Sequence, residues 1–292
     1  MSHPKDDNQE NSPHELLQNN RIANLEYSIQ PTNFMFLNTL ETVIEYLNPY
    51  TAKCELVRIG SYSDGGYVIA SLSQISSKNC INLGVGNEVS ADIDLLNLGC
   101  QILAVDGTVD NPMPQEARYK FVKSNVGYIC GAGNKSLKSI LKEHNWKKEL
   151  EIVLIDIEGF EYQLLQNDWK SISRARQIVI EFHGLELLGD QGFSQQFVHL
   201  LKTINRTHNV VHIHGNNAGP AIPVGGASWP TIVEVTFLTK KEVLSERNFG
   251  PFPSLLDASN TGLRPDINLN PFFGINPTYS QLARNISKSV SG

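Results

Sequence analysis

From residue 80 onward, short apolar runs alternate with stretches whose apolar positions recur at helical spacing. The runs Cys80–Gly84, Gln101–Asp106, Tyr119–Lys123, Glu151–Asp156, Gln177–Phe182, Val210–His214 and Thr231–Leu238 have the length and composition of strands. Between them Val89–Leu98, Leu137–Glu143, Tyr162–Asp168 and Phe193–Thr203 read as helices. Ile152–Ile155 and Ile178–Ile180 are apolar without alternation, the pattern of strands buried on both faces of a parallel sheet. Strand alternating with helix predicts an α/β fold with a Rossmann-like, doubly wound, seven-stranded sheet. The final pair breaks the rhythm. Roughly sixteen residues rich in Gly, Asn and Pro (Gly215–Pro230) separate the sixth and seventh strands, which suits a loop better than a crossover helix. The last strand is therefore expected to run antiparallel.

Ahead of the sheet, Phe34, Phe36, Leu37, Leu40, Val43, Ile44 and Leu47 mark one amphipathic helix from about Asn33 to Leu47. Glu55–Ile59 and Tyr67–Ser71 flank a Ser/Asp/Gly turn and predict a hairpin. The chain then divides into a mobile polar tail (1–20), a helix-and-hairpin extension (21–75), the sheet domain (76–245) and a Pro-, Asn- and Gly-rich wrapping tail (246–292).

Composition changes this picture only by exclusion. The chain has 40% apolar and 18% charged residues and a formal net charge of −6, with no Lys/Arg stripe, which disfavours a nucleic-acid partner. No apolar run approaches the roughly 20 residues of a membrane span, and Met1–Asn20 lacks the pattern of a secretory signal. Cys54, Cys80, Cys100 and Cys130 form no CxxC pair, so reduced structural thiols in a cytoplasmic setting are expected.

Ile81-Asn-Leu-Gly84-Val-Gly86-Asn-Glu88 lies between a predicted strand and a predicted helix. Glycines there let a ligand approach the backbone, and the helix N-terminus supplies free N–H donors. Asp106 closes the next strand, 22 positions after Gly84, where a carboxylate can accept both hydroxyls of an adenosine ribose. Gly84, Gly86, Asn87, Glu88, Asp106, Gly107 and Asn125 are the candidate cofactor residues. Glu88, with Val89 where the dinucleotide pattern places its third small residue, would repel a pyrophosphate. S-adenosylmethionine, which has no phosphate and carries positive charge, fits better than NAD.

The carboxyl ends of the later strands carry the chemistry. They read Asp156-Ile-Glu158-Gly-Phe-Glu161, Glu181-Phe-His183-Gly and His212-Ile-His214-Gly-Asn216-Asn217. Glu181 and His183 share one face, as do His212 and His214. Methyl transfer to a hydroxyl needs in-line positioning and removal of a proton. Two routes fit. Asp156, Glu181 and His183 could hold Mg²⁺ or Mn²⁺ on the acceptor oxygen, or His183 or His214 could be the direct base. Asp156, His183 and His214 are thus the catalytic candidates. Glu158 and Glu161, entering the next helix, are also candidates for helix-dipole partners.

Asp156-Ile-Glu158-Gly159 with Glu161 resembles the D-x-E-G-x-E element of the FkbM-type methyltransferases. The segments Arg58-Ile-Gly-Ser-Tyr-Ser-Asp64-Gly-Gly-Tyr67, His212–Asn217 and Val233-Glu234-Val-Thr236 are similar to segments of bacterial members, and the likeness runs from about Glu55 to Leu238. The resemblance implies a class I fold, S-adenosylmethionine and O-methylation, often of a sugar or another small hydroxylated metabolite. This chain has Asn82 where many class I members begin the glycine motif with an acid, and Asn87-Glu88 at the third glycine. A Rossmann oxidoreductase and a binding protein without turnover are the competing readings. Arg58 and Asp64–Tyr67 suggest either a purely structural turn or a lid. Trp229, Phe249, Phe252, Phe272 and Phe273 suggest either a sugar platform or the anchor of the tail.

Overall fold

In the computed structural model, residues 34–72, 78–127, 133–146, 149–224 and 226–274 are described. The expected polar tail (1–20) and Cys130 lie outside them. Helix α1 (Phe34–Leu47) leads into strand β1 (Tyr50–Ala52) and the hairpin β2 (Leu56–Ile59) and β3 (Tyr67–Ala70). Then follow β4 (Asn79–Leu83), α2 (Ser90–Asn97), β5 (Gln101–Asp106), β6 (Tyr119–Lys123), α3 (Leu137–Glu143), β7 (Leu150–Ile155), α4 (Glu161–Ile172), β8 (Ala175–Phe182), α5 (Gln191–Ile204) and β9 (His208–Gly215). A small hairpin, β10 (Ala221–Val224) and β11 (Ala227–Pro230), precedes β12 (Val233–Thr239), β13 (Val243–Arg247) and the short α6 (Asn270–Phe273).

Seven strands form one sheet in the order β6–β5–β4–β7–β8–β12–β9. Strands β4 to β8 pair parallel, and β12 is inserted antiparallel between β8 and β9. This is the expected topology. The segment expected as a plain loop contains the β10–β11 hairpin, paired from Ala221↔Pro230 to Val224↔Ala227. Its strands are short and interrupted by proline, so they carry no readable alternation.

Period-two alternation gives each buried strand one apolar set per face. Ile81, Leu83, Leu103, Val105, Val153, Ile155, Ile178 and Ile180 pack in one cluster with apolar residues of α1, α3, α4 and α5. Cys80, Ile102, Ala104, Ile152, Leu154 and Val179 face the other way, onto Ala91, Leu95 and Leu96 of α2 and Ile59, Tyr67 and Ile69 of the β2–β3 hairpin. On this second face a hairpin takes the place of a covering helix, across β8 and β12. Three polar contacts seat it. Gln177 imitates a strand partner, accepting from Ala70 N at 2.9 Å and donating to Ala70 O at 2.9 Å. The Thr236 hydroxyl donates to Val68 O. Asp94 of α2 accepts from Gly60 N at 2.8 Å.

The late aromatics divide. Trp229, Phe252, Phe272 and Phe273 are buried, with Trp229 edge-on to Phe272 at 5.1 Å, and they anchor the C-terminal segment rather than offer a platform. Phe249 is exposed. Cys54, Cys80 and Cys100 are free thiols, the last two buried.

Arg176 ties the amino-terminal edge of the sheet together. Its Nη1 donates to Glu151 Oε1 at 2.7 Å and to Ser71 O at 3.0 Å, and its Nε to Glu242 Oε2 at 2.6 Å. Glu151 is fully buried, so removing Arg176 takes away the counter-charge of a buried ion pair. The substitution Arg176→Ala is expected to destabilise the fold by about 3–5 kcal/mol, read as a lowered urea midpoint with an unchanged slope.

Candidate functional site

The glycine turn begins where β4 ends. Gly84 has φ +85°, and a Cβ there would lie 1.5 Å from the Asp156 carbonyl oxygen, so only glycine fits. Asp106, closing β5, shapes the turn. Its Oδ2 accepts from Val85 N (2.8 Å) and Gly86 N (2.9 Å), and its Oδ1 from Thr108 N (2.6 Å), Thr108 Oγ1 (2.7 Å) and Val109 N (3.3 Å). Burial opposes the charge, but these bonds hold the carboxyl below its usual range. Glu88 is exposed and accepts from Ser90 N at 2.7 Å, closing the entry to α2.

Beyond the turn opens a cavity of about 620 Å³. All seven candidate cofactor residues, Gly84, Gly86, Asn87, Glu88, Asp106, Gly107 and Asn125, line it. So do Asn82 and Asp64, Gly65 and Tyr67 of the hairpin turn, for which the sequence had suggested a lid as one of two readings. The hairpin turn is a wall of the cavity.

The strand register explains how the chemical groups meet. Leu83 pairs with Val105 and with Ile155, and Ile155 with Ile180. Glu234 pairs with both Glu181 and His214. One step on from the first three pairs, Asp106, Gly84, Asp156 and Glu181 therefore stand in one row, which Glu234 and His214 continue. Side chains directly opposite one another share a face. This row lies on the hairpin-covered face, at the carboxyl end of the parallel strands.

His183, one alternation beyond Glu181, is the hub. Its Nδ1 lies 3.0 Å from Glu161 Oε1, and its Nε2 lies 3.6 Å from Glu158 Oε2, 3.6 Å from Glu181 Oε1 and 3.9 Å from Asp156 Oδ1. Every acid of the Asp156–Glu161 element thus reaches one imidazole. Glu161 opens α4 as a dipole partner would and also accepts from Gly159 N at 2.9 Å. Burial disfavours the imidazolium, but Glu161 and then Asp156 and Glu158 raise its pKa to about 9. Asp156 is pushed up to about 7, chiefly by burial, with His183 opposing and Glu158 and Glu161 adding to the rise. Burial, then Asp156 and Glu234, hold Glu181 well above the carboxylate range. Buried oxygens of Asp156 (Oδ1) and Glu161 (Oε2) have no hydrogen-bond partner. Glu158 sits at φ +54°, a left-handed conformation unusual for a side-chain-bearing residue.

Of the three catalytic candidates only Asp156 lines the cavity; His183 stands directly behind it. The donor group of matching geometry is Asp156, Glu158 and His183, whose ligand atoms lie within 4.8 Å of one another. Glu181, the expected third member, keeps its Oε1 3.6 Å from His183 Nε2 and accepts there from Asn216 Nδ2 at 2.8 Å.

His214 is engaged elsewhere. Its Nδ1 lies 3.3 Å from Glu234 Oε2 and its Nε2 3.0 Å from Asp266 Oδ1, and it is 1% exposed. His212 likewise meets Asp257 at 2.8 Å. Asn217 Nδ2 donates to the Thr261 and Arg264 carbonyls, and Asn260 Nδ2 bridges Glu234 (2.6 Å) and Asp64 (3.3 Å). The β9 end is therefore a clasp for the C-terminal segment, which also reaches the hairpin through Arg58 Nη1 donating to Leu256 O at 3.3 Å. The sequence could not show this, because the partners lie 45 to 52 positions away.

The model of the Methyltransferase FkbM domain matches residues 43–210, more than half of the chain. The chain belongs to the FkbM methyltransferase family. It is an S-adenosylmethionine-dependent methyltransferase, and the oxidoreductase reading falls away. Among solved structures it is similar to a fibrillarin/Nop5p complex (9% identity, 56% of this chain and 73% of that chain, TM-score 0.37). It is also similar to the Burkholderia thailandensis 1,6-didemethyltoxoflavin-N1-methyltransferase, solved with bound 1,6-didemethyltoxoflavin and S-adenosylhomocysteine (11%, 82% and 93%, 0.32). A third is a 16S rRNA (adenine(1408)-N(1))-methyltransferase variant from Catenulisporales acidiphilia (11%, 56% and 86%, 0.28). Likenesses of this size carry no information on substrate. A comparison with curated proteins returns no match. Among the described residues of this methyltransferase, no helix is long and apolar enough to cross a membrane.

The clasp is expected to respond to pH. Burial disfavours the His214 cation, but hydrogen bonds to Asp266 and Glu234 raise its pKa to about 10. A raised folded-state value stabilises fully below the unfolded value near 6.5 and is lost as pH climbs through the folded one. The melting-temperature gap between wild type and His214→Gln is therefore expected to be widest below pH ~6.5 and to narrow towards pH 10.

Proposed function

We propose that this methyltransferase transfers the methyl group of S-adenosylmethionine to a hydroxyl of a small molecule, a sugar or sugar-containing metabolite, and that Asp156 handles the hydroxyl proton. The observation that carries the reading is the position of Asp156. It lines the cavity that also contains the glycine turn, and its inner oxygen faces the buried His183. The adenosine end belongs against Gly84, Gly86, Gly107 and Asn125, with Asp106 at the ribose and Asn87 and Glu88 at the turn. The sulfonium then points along the strand row towards Asp156. Anionic walls suit a cationic cofactor and would repel a nucleic-acid acceptor. His183, made cationic by Glu161 and Glu158, orients Asp156 rather than taking the proton itself. His214, clasped by two carboxylates, takes no part in the chemistry.

Residues 76–245 serve as the catalytic domain, flanked by the extensions 21–75 and 246–292, whose described residues 34–72 and 246–274 pack on it. The hairpin and clasp contacts support that division. Free thiols at Cys54, Cys80 and Cys100 support a cytoplasmic setting.

A second reading replaces the His183 imidazolium with a divalent cation held through the neutral imidazole. Four carboxylates surround one imidazole, and Asp156 Oδ1 is buried without a partner, which fits a cation held by Asp156, Glu158 and His183. Their oxygen and nitrogen donors suit Mg²⁺ or Mn²⁺, which would polarise the acceptor hydroxyl and lower its pKa.

Two measurements test these readings. Labelled S-adenosylmethionine with a panel of monosaccharides and glycosides should yield an O-methyl product. Asp156→Asn should cut kcat by about 10²–10⁴-fold while cofactor affinity stays within a few-fold. Retention of kcat, or a methyl group on nitrogen or carbon, removes the reading. Exhaustive chelation should abolish turnover, and calorimetry should show stoichiometric Mn²⁺ uptake that His183→Ala loses. Full turnover of the stripped enzyme without Mn²⁺ uptake removes the cation.

A further inference from the structure

Asp92 is completely buried, forms no ion pair among the described residues, and plays no role in the methyl-transfer chemistry above. It lies in the first turn of α2, where the helix dipole favours an anion. Both of its oxygens accept from the same donor, Asn82 Nδ2, each at 3.0 Å. Asn82 in turn lines the cavity, two residues before Gly84.

A carboxylate can only accept hydrogen bonds, whereas an amide has a donating end and an accepting end. A buried carboxylate behind Asn82 therefore dictates the orientation of the amide, with NH₂ inward and Oδ1 left as its acceptor. Hydrogen bonding of the NH₂ to an anion also polarises the amide and makes Oδ1 a stronger acceptor. Burial pushes Asp92 up to about 6, with hydrogen bonds from Asn82 and Tyr119 opposing the rise.

We propose that Asp92 is a positioning residue for the cofactor, clamping the Asn82 amide so that Oδ1 receives the ammonium group at the methionyl end of S-adenosylmethionine. The proposal rests on the cofactor assigned to the cavity above. The ammonium fits this position because it is a cationic multiple donor, and a charge-assisted bond to it is among the stronger neutral-pH contacts an amide oxygen makes.

Two ligands separate this role from a structural one. S-adenosylhomocysteine carries the amino-acid end, and 5′-methylthioadenosine lacks it. By calorimetry, Asp92→Asn should weaken S-adenosylhomocysteine about 10- to 100-fold and leave methylthioadenosine within about 2-fold. The exchanged pair Asn82→Asp with Asp92→Asn restores an inward amide and an acceptor at the wall, and should recover S-adenosylhomocysteine to within a few-fold. Equal weakening of both ligands, or no weakening of either, overturns the proposal. If Asp92→Asn does not fold, the exchanged pair decides: bound S-adenosylhomocysteine supports the clamp, and its selective loss overturns it. A wild type that binds neither ligand would instead overturn the cofactor assignment, and the clamp with it.

Discussion

Negative charge gathered along one row of the sheet has to be compensated, and much of the architecture answers that requirement. Asp106, Asp156, Glu181 and Glu234 stand side by side at the carboxyl end of the strands, on one face, with His214 closing the row. Desolvation of ionised carboxylates is costly unless each finds donors or a counter-charge. Each finds a different answer. Asp106 gathers the backbone N–H groups of the glycine turn, Asp156 faces His183, Glu181 meets His183 and Asn216, and Glu234 meets His214 and Asn260. Compensation becomes less complete towards Asp156, where a buried oxygen is left without a partner. That is also where the row opens into the cavity.

The covering of that face follows from the same need. A helix over β8 and β12 would present side chains to the row, whereas a hairpin also brings polar main-chain groups and a turn. The β2–β3 hairpin uses its backbone to meet Gln177 and Thr236, and its turn places Asp64, Gly65 and Tyr67 at the cavity wall. The C-terminal segment then holds the turn from outside, through Asn260 on Asp64 and Leu256 on Arg58. Cofactor wall, hairpin and tail are thus mechanically linked, although they come from distant parts of the chain.

The FkbM assignment and the local geometry meet at the Asp156–Glu161 element. Within six residues it closes a strand, makes a turn through a left-handed Glu158 and starts a helix. Three carboxylates are thereby aimed at His183, one strand away. The cavity side of that arrangement faces the glycine turn, so the sheet register brings the turn and the acid–histidine cluster together.

How much of this was legible in the sequence depends on the range of the interaction concerned. Strands β5 and β6 and helix α3 coincide with their apolar patterns, and the antiparallel last strand follows from the length and composition of Gly215–Pro230. These features depend on neighbours a few positions apart, where period and turn chemistry act directly. The residues lining the glycine side of the cavity were legible for the same reason, since a strand–turn–helix is a local unit. The approach of Glu158 to His183, the pairing of His214 with Glu234 and Asp266, and the hairpin wall were not. Each depends on which strands become neighbours and on partners such as Asp266, more than fifty positions away. The sequence by itself determined the sheet, the glycine turn and the supply of acids and histidines at the strand ends. Only the tertiary structure decided which histidine meets which acid, because pairing of charges is settled by register and burial, and neither is written in the spacing of residues along the chain.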